Sequence, residues 1–240
     1  MDRPFSKLPL VSKPNVFLAI PMSKNTMLHA KTAAFCSAMN QHSNVLWGYV
    51  GSMSAEFSRN SLLEHHFHND PNWTHVCFVD SDVDPPLNAL KLLLSVDADV
   101  ATGLYPLFID GKPVWSVAKP ENENVFFALH EELPKEPFVT KSCGGGILLI
   151  RREVLVDMGW PWFETQYQEI YKNKGKGILC GEDVYFCRKA AEKGYPTIVV
   201  PSVICEHYNQ VGMKRFYDGC VAPYKTETAG GEIPPAIPSL

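Results

Sequence analysis

Apolar residues along the chain follow two alternating rhythms. Short, nearly continuous hydrophobic runs at 15–21, 44–50, 74–82 and 99–105 are bounded by turn-forming residues. Between them, 28–39, 55–67 and 86–95 carry the wider spacing of a one-sided helix. Strand and helix in alternation predict an α/β domain whose central sheet is mixed but mostly parallel, joined by crossover helices. Phe78, Val79 and their neighbours show no polar alternation, which predicts a strand buried on both faces.

The second half changes rhythm. Segments 113–119 and 124–131 read as strands joined by the turn-rich PENEN, and CGGGILLIRREVL passes from loop to strand to helix. Gly181-Glu182-Asp183 opens a predicted helix, 184–193, that stops at Gly194, and 196–205 reads as another buried strand running into Glu206-His207. From 209 onward the sequence ends in TAGGEIPPAIPSL, whose proline and glycine predict a tail or lid. The expected division is one domain over 1–208 and an irregular segment over 209–240, in which Lys214, Arg215 and Tyr217 could close over a ligand.

Composition narrows the function classes. A chain of 240 residues with 45% hydrophobic content buries one substantial core. A net charge of −4 supplies no broad attraction for nucleic acid. No stretch approaches the ~18 apolar residues of a membrane span, and MDRPFSKLPLVSKPNVFLAIP lacks the layout of a leader peptide, so a cytoplasmic protein is expected. The seven cysteines are scattered without a CxxC pair, and read as small buried hydrophobes. The sequon Asn72-Trp73-Thr74 matters only in a secreted chain.

The stretch FVDSDVDPP sets Asp80, Asp82 and Asp84 at the carboxyl end of a buried strand, where open α/β sheets bind ligands. Asp80 and Asp82 suit a hard divalent cation, Mn²⁺ or Mg²⁺, that also holds a diphosphate; a solvated turn is the alternative. Asp84 before Pro85-Pro86 predicts a helix N-cap. Asp183 and His207 are further acidic and imidazole groups at element ends, and the helix dipole would lower the pKa of Asp183. Gly144-Gly145-Gly146 lacks the Lys-Ser/Thr of a phosphate loop, yet lets backbone approach a ligand closely. Trp160 and Trp162 fit either core packing or stacking on a sugar face. His65, His66 and His68 lack metal-site spacing and are expected to face solvent.

Taken in order, NVFLAIP, SRNSLLEHHF, FVDSDVDPP, ATGLYP, CGGGILLIRREVL with WPWF, GEDVYFCRKAAEKG and VICEHYN resemble a nucleotide-sugar-dependent glycosyltransferase of GT-A type, family 2-like, over residues 15–208. The resemblance implies a single Rossmann-like domain that moves a sugar from a nucleoside diphosphate sugar, a UDP-sugar favoured, to an acceptor hydroxyl. It implies a nucleobase wall at Ile20, Pro21 and Met22, phosphate or aspartate contact by Arg59 with Asn60 beside it, a nucleoside-side Asp80, and Mn²⁺ or Mg²⁺ on Asp82 and His207, shared with Asp80. Gly145 would lie against the donor or acceptor. Asp183, with Glu182, matches the motif that supplies the general base of inverting members. The donor sugar, the acceptor (a glycan, a small molecule or a modified nucleobase), the retaining or inverting outcome and the oligomeric state are not readable.

Two other readings compete. DSDV fits the nucleophile motif of a haloacid-dehalogenase-like phosphatase, but that motif ends a first strand and here two strand-helix units precede it. A nucleotidyltransferase or a silent sugar-nucleotide binder of the same fold is the second, although PMSKNTM lacks the glycines of a nucleotidyltransferase phosphate loop.

Overall fold

The computed structural model describes residues 14–23, 27–109, 111–169 and 176–208. Its strands are β1 (Val16–Ser23), β2 (Val45–Met53), β3 (His75–Val79), β4 (Val83–Asp84), β5 (Val100–Leu104), β6 (Pro106–Ile109), β7 (Lys112–Lys119) and β8 (Asn122–Ala128), then β9 (Phe138–Thr140), β10 (Ile147–Arg151), β11 (Gln166–Glu169), β12 (Lys176–Cys180), β13 (Thr197–Ile204) and β14 (Glu206–His207). The α-helices are α1 (Ala30–Met39), α2 (Ala55–Leu62), α3 (Ala89–Ser95), α4 (Arg152–Met158) and α5 (Glu182–Glu192), with α2 continuing into a π-helical turn, Leu63–His68.

A seven-stranded sheet in the order β2-β1-β3-β10-β5-β13-β9 forms the centre. The pairs β1–β2, β1–β3 and β5–β13 are parallel, whereas β10 runs against both neighbours and β9 against β13. The mixed α/β fold expected from the alternation is therefore found, with the reversed strand β10 inserted between β3 and β5.

Period-2 side chains divide the core between the two faces of this sheet. On one face Phe17, Phe78 and Leu148 pack with Leu62, Leu155 and Phe186, from α2, α4 and α5. On the other, Leu18, Cys77 and Leu149 pack with Phe35, Met39 and Leu93, from α1 and α3. Helices on both faces explain why β3 is apolar without alternation.

The chain moves from β1 outward to β2 and then crosses to β3 on the other side of β1. This reversal opens a crevice at the carboxyl ends of β1 and β3, the place where such sheets accept ligands. Asp80 begins the turn that leaves β3.

Local predictions are corrected beyond that turn. Strand 74–82 ends at Val79, and Val83–Asp84 instead pairs antiparallel with Glu206–His207. Asp84 is not a helix cap, because its backbone belongs to that ladder; α3 starts later, with Asn88 at its N-cap. The helix predicted for 184–193 begins at Glu182 with Gly181 as N-cap. The segment 209–240, including Lys214, Arg215 and Tyr217, lies outside the described residues.

Leu148 is fully buried on the reversed strand, paired with Phe78 and Thr102. Leu148→Ala is expected to cost about 2–5 kcal/mol, measured as a lowered urea midpoint at unchanged slope. A wild-type midpoint would show that β10 is not part of the core.

Candidate functional site

The site is organised around Arg59. Ser54 caps α2, its hydroxyl accepting from the Phe57 N–H at 3.3 Å, and the helix then turns Arg59 inward until only 2% of it is exposed. Its Nη2 donates to Asp80 Oδ1 at 2.8 Å and its Nε to Glu182 Oε1 at 3.4 Å. The guanidinium carbon lies 5.2 Å from the ring centroid of Phe78 and 5.6 Å from that of Phe163. Burial alone would lower the pKa of the guanidinium, but Asp80, Glu182 and Asp183 outweigh it and raise the pKa above the ordinary value. Arg59 is thus a buried charge with carboxylate partners, not a surface ion pair. Its neighbour Asn60 turns the other way, donating to the Phe163 carbonyl at 2.7 Å and accepting from the Phe163 N–H at 3.2 Å.

The three glycines before β10 are required by the protein's own packing. A Cβ on Gly145 would stand 2.5 Å from Arg59 Nη2, and Cβ atoms on Gly144 and Gly146 would meet the Tyr105 side chain at 2.1 and 2.6 Å. The space opposite Gly145, expected to admit a ligand, is filled by the guanidinium. The loop's backbone instead holds the site's side chains. The Gly145 N–H donates to Asp183 Oδ2 at 3.0 Å, the Gly146 N–H to the Tyr105 hydroxyl at 2.9 Å, and the Asp80 N–H to the Gly146 carbonyl at 3.0 Å.

Asp183 sits in the first turn of α5, and its Oδ1 accepts from the Val184 N–H at 2.7 Å. The sequence predicts a lowered pKa from the helix dipole; the structure reverses this. Burial lifts the carboxyl to about 6, and the charge of Glu182 adds to the rise, against the pull of Arg59 and the two backbone N–H groups. Asp80 is also raised by burial, with Asp82 adding and Arg59 opposing.

Asp82 and His207 meet from the ends of β3 and β13, brought together by the β4–β14 ladder. His207 Nε2 lies 3.5 Å from Asp82 Oδ2, while Nδ1 faces the Pro106 carbonyl at 2.9 Å. Burial would raise Asp82, but the hydrogen bond and charge of His207 hold it below its ordinary value. His207 is raised: burial opposes its charged form, and Asp82 and the Pro106 carbonyl overcome that effect.

This pair fits a divalent cation in one respect that can be read directly. The second ring nitrogen of His207 is held by a backbone carbonyl, which fixes the ring and directs Nε2 toward Asp82 in the manner of a metal-ligating histidine. An imidazole nitrogen and a half-exposed carboxylate oxygen suit Mn²⁺, with room for ligand or water oxygens. Among the described residues, no three His, Cys, Asp or Glu side chains stand close enough to hold an ion by themselves. Asp80, expected to share the cation, gives Oδ1 to Arg59.

The remaining expected residues are scattered in role. Ile20 and Pro21 are buried within β1, Ile20 in the core, so neither forms the expected nucleobase wall, and Met22 is half-buried. Trp162 is core, its Nε1 donating to the Leu155 carbonyl at 2.8 Å, so it offers no face to a sugar; Trp160 is 70% exposed. His65, His66 and His68 face solvent as predicted. Cys36, Cys77, Cys143, Cys180, Cys187 and Cys205 are free and buried, as expected of small hydrophobes. Among the described residues, no helix is long and apolar enough to cross a membrane.

Tyr105 is the residue that sequence reasoning missed. Buried at the end of β5, it fills the space beside Gly144 and Gly146 and packs edge-on against His207, with ring centroids 5.3 Å apart. The only signal was an aromatic at the end of a strand in ATGLYP, which does not by itself distinguish core from site.

No family model and no curated protein matches the sequence. Among solved structures, the crystal structure of A197 from STIV is 19% identical, covers 80% of this chain and 85% of that chain, and gives a TM-score of 0.54, a likeness of fold. The crystal structure of GalNAc-T7 with UDP, GalNAc and Mn²⁺ is 12% identical over 81% of this chain and 44% of that chain, with a TM-score of 0.47. A glycosyltransferase involved in the glycosylation of the major capsid of PBCV-1 is 13% identical over 60% of this chain and 68% of that chain, with a TM-score of 0.30. The last two superpose too loosely to carry an argument.

Arg59→Met leaves Asp80 and Glu182 without their cation and is expected to destabilise the fold by about 3–5 kcal/mol at neutral pH. Gly145→Ala, which drives a methyl against the same guanidinium, should cost about 1–3 kcal/mol. Both are read by chemical denaturation; a neutral Arg59→Met would show that the buried ion pairs do not stabilise the fold, and a neutral Gly145→Ala that the loop is free to move away from Arg59.

Proposed function

We propose that the protein is a GT-A-type glycosyltransferase that moves a sugar from a nucleoside diphosphate sugar, a UDP-sugar by preference, to an acceptor hydroxyl. One observation supports this reading above the others. At the carboxyl ends of the central strands, a metal-suited pair, Asp82 and His207, accompanies a separate carboxylate, Asp183, whose pKa is lifted to about 6. A cation-binding pair and a tuned base in one crevice match group transfer from a diphosphate leaving group.

In this reading Asp82 and His207 hold Mn²⁺ or Mg²⁺, which when bound supplies positive charge for the departing diphosphate. Met22, half-buried, lines the nucleoside side with the buried Ile20 and Pro21 only supporting it from the core, and Asp80, fixed by Arg59, presents its remaining oxygen there. Asp183 takes the proton of the acceptor hydroxyl as the acceptor oxygen bonds to the anomeric carbon. The bond from that carbon to the phosphate oxygen breaks, and the diphosphate leaves with the electron pair. Glu182 keeps Asp183 basic through like charge while its own charge is balanced by Arg59.

The base must be ionised to work, so the transfer rate should rise with pH through about 6 and level above it. One unit below that value it should be about one tenth of the plateau. Asp183→Asn should abolish transfer while leaving donor binding intact; normal transfer by this variant would remove Asp183 from the base role.

Asp82→Ala and His207→Ala are each expected to weaken binding of Mn²⁺ with UDP by about tenfold or more. The measurement is titration of free Mn²⁺ by electron paramagnetic resonance. Unchanged affinity in both variants would refute the metal assignment.

A further inference from the structure

On the outer side of α2, a groove of about 460 Å³ runs between that helix and the loop after α4. This volume lies within the range of small-ligand sites. Its apolar surfaces are Phe57, 50% exposed, with Trp160, 70% exposed, and Pro161. Its polar surfaces are the carboxylates Glu56, Glu64 and Glu164 with Asn60, Ser61 and His65, and neither lysine nor arginine lines it.

The wall that carries Trp160 is fixed rather than loose. Lys189 donates to the carbonyls of Gly159 and Pro161 at 3.3 and 2.7 Å, Asn60 clamps Phe163 from both sides, and the Thr165 N–H donates to Glu56 Oε2 at 2.9 Å. A large aromatic face is therefore held open to solvent on a pinned loop, which needs an explanation other than core packing.

We infer that this groove binds an uncharged oligosaccharide, the distal part of the acceptor, with Trp160 stacked on the apolar face of a sugar ring and the glutamates accepting its hydroxyls. The inference rests on the proposed transferase reading for the word acceptor, and it adds the acceptor's class. Three carboxylates against one imidazole, His65, and no lining lysine or arginine disfavour phosphorylated, sulfated or uronic chains by charge. They leave polyhydroxyl ligands, whose O–H groups donate and whose C–H faces suit an aromatic plane.

Position points to a chain rather than a single sugar. Glu56, Phe57, Asn60 and Ser61 of α2 and Glu64 of the π-helical turn that continues it recur on one side, whereas Arg59 projects from the other side into the crevice. The groove thus lies roughly one helix diameter, about 10 Å, from the transfer site. An acceptor that touches both must contain several rings.

The test is calorimetric titration of the full chain with neutral hexasaccharides, namely cellohexaose, chitohexaose and maltohexaose, alongside glucose, a hyaluronan hexasaccharide and hexalysine. At least one neutral hexasaccharide should bind, its affinity falling about tenfold in Trp160→Ala and recovering in Trp160→Phe. Glu64→Gln should admit the hyaluronan oligomer that wild type rejects. The inference is overturned if no neutral hexasaccharide binds, if Trp160→Ala binds as wild type does, or if hexalysine binds more tightly than every sugar. Affinity for UDP with Mn²⁺, measured on the same preparations, separates the two readings. Glycan binding without nucleotide binding would remove the transferase reading and keep a glycan site; nucleotide binding without glycan binding would remove this inference alone.

Discussion

A buried guanidinium with two carboxylate partners constrains everything else in the crevice. Arg59 must keep its charge out of water, which is tolerable only while Asp80 and Glu182 stay in contact with it. Asp80 ends β3 and Glu182 opens α5, so the ion pairs tie the centre of the sheet to a helix more than a hundred positions later in the chain. The aromatic rings of Phe78 and Phe163 exclude water from the same charge, and Asn60 secures Phe163. Stability and placement of the acidic groups are therefore one property of the fold.

Two carboxylates within this framework are driven apart in acidity. Asp82, half-exposed and bonded to His207, stays below the ordinary carboxylate range, while Asp183, shielded and beside Glu182, rises to about 6. A low pKa keeps Asp82 ionised under any ordinary condition, as a cation ligand needs to be. A raised pKa lets Asp183 exchange a proton near neutrality. Environment, not residue type, makes this division.

Much of this was legible in the sequence. The apolar runs located β1, β2, β3 and β5, because strands covered on both faces leave an unmistakable hydrophobic signature, and the position of Asp80 and Asp82 at a strand end followed directly. What was not legible depended on long-range contacts. Asp84 before two prolines looks locally like a helix cap, yet its backbone is claimed by Glu206, 122 positions away, a ladder that no local pattern encodes. The acidity of Asp183 was misread because a helix N-terminus is visible in sequence, whereas burial and the approach of Glu182 are not. The triple glycine suggested room for a ligand; the occupants turned out to be Arg59 and Tyr105.

Those occupants also determine how the site can diverge. Position 145 already holds the smallest residue, so it has no volume to give up, and the guanidinium opposite cannot shorten without stranding its carboxylates. Any side chain added at 144 or 146 meets Tyr105, whose ring abuts His207. Single substitutions in this cluster are consequently epistatic: each is acceptable only with a matching change elsewhere. The interior of the crevice is expected to be frozen in evolution, and divergence is left to the solvent-facing rim.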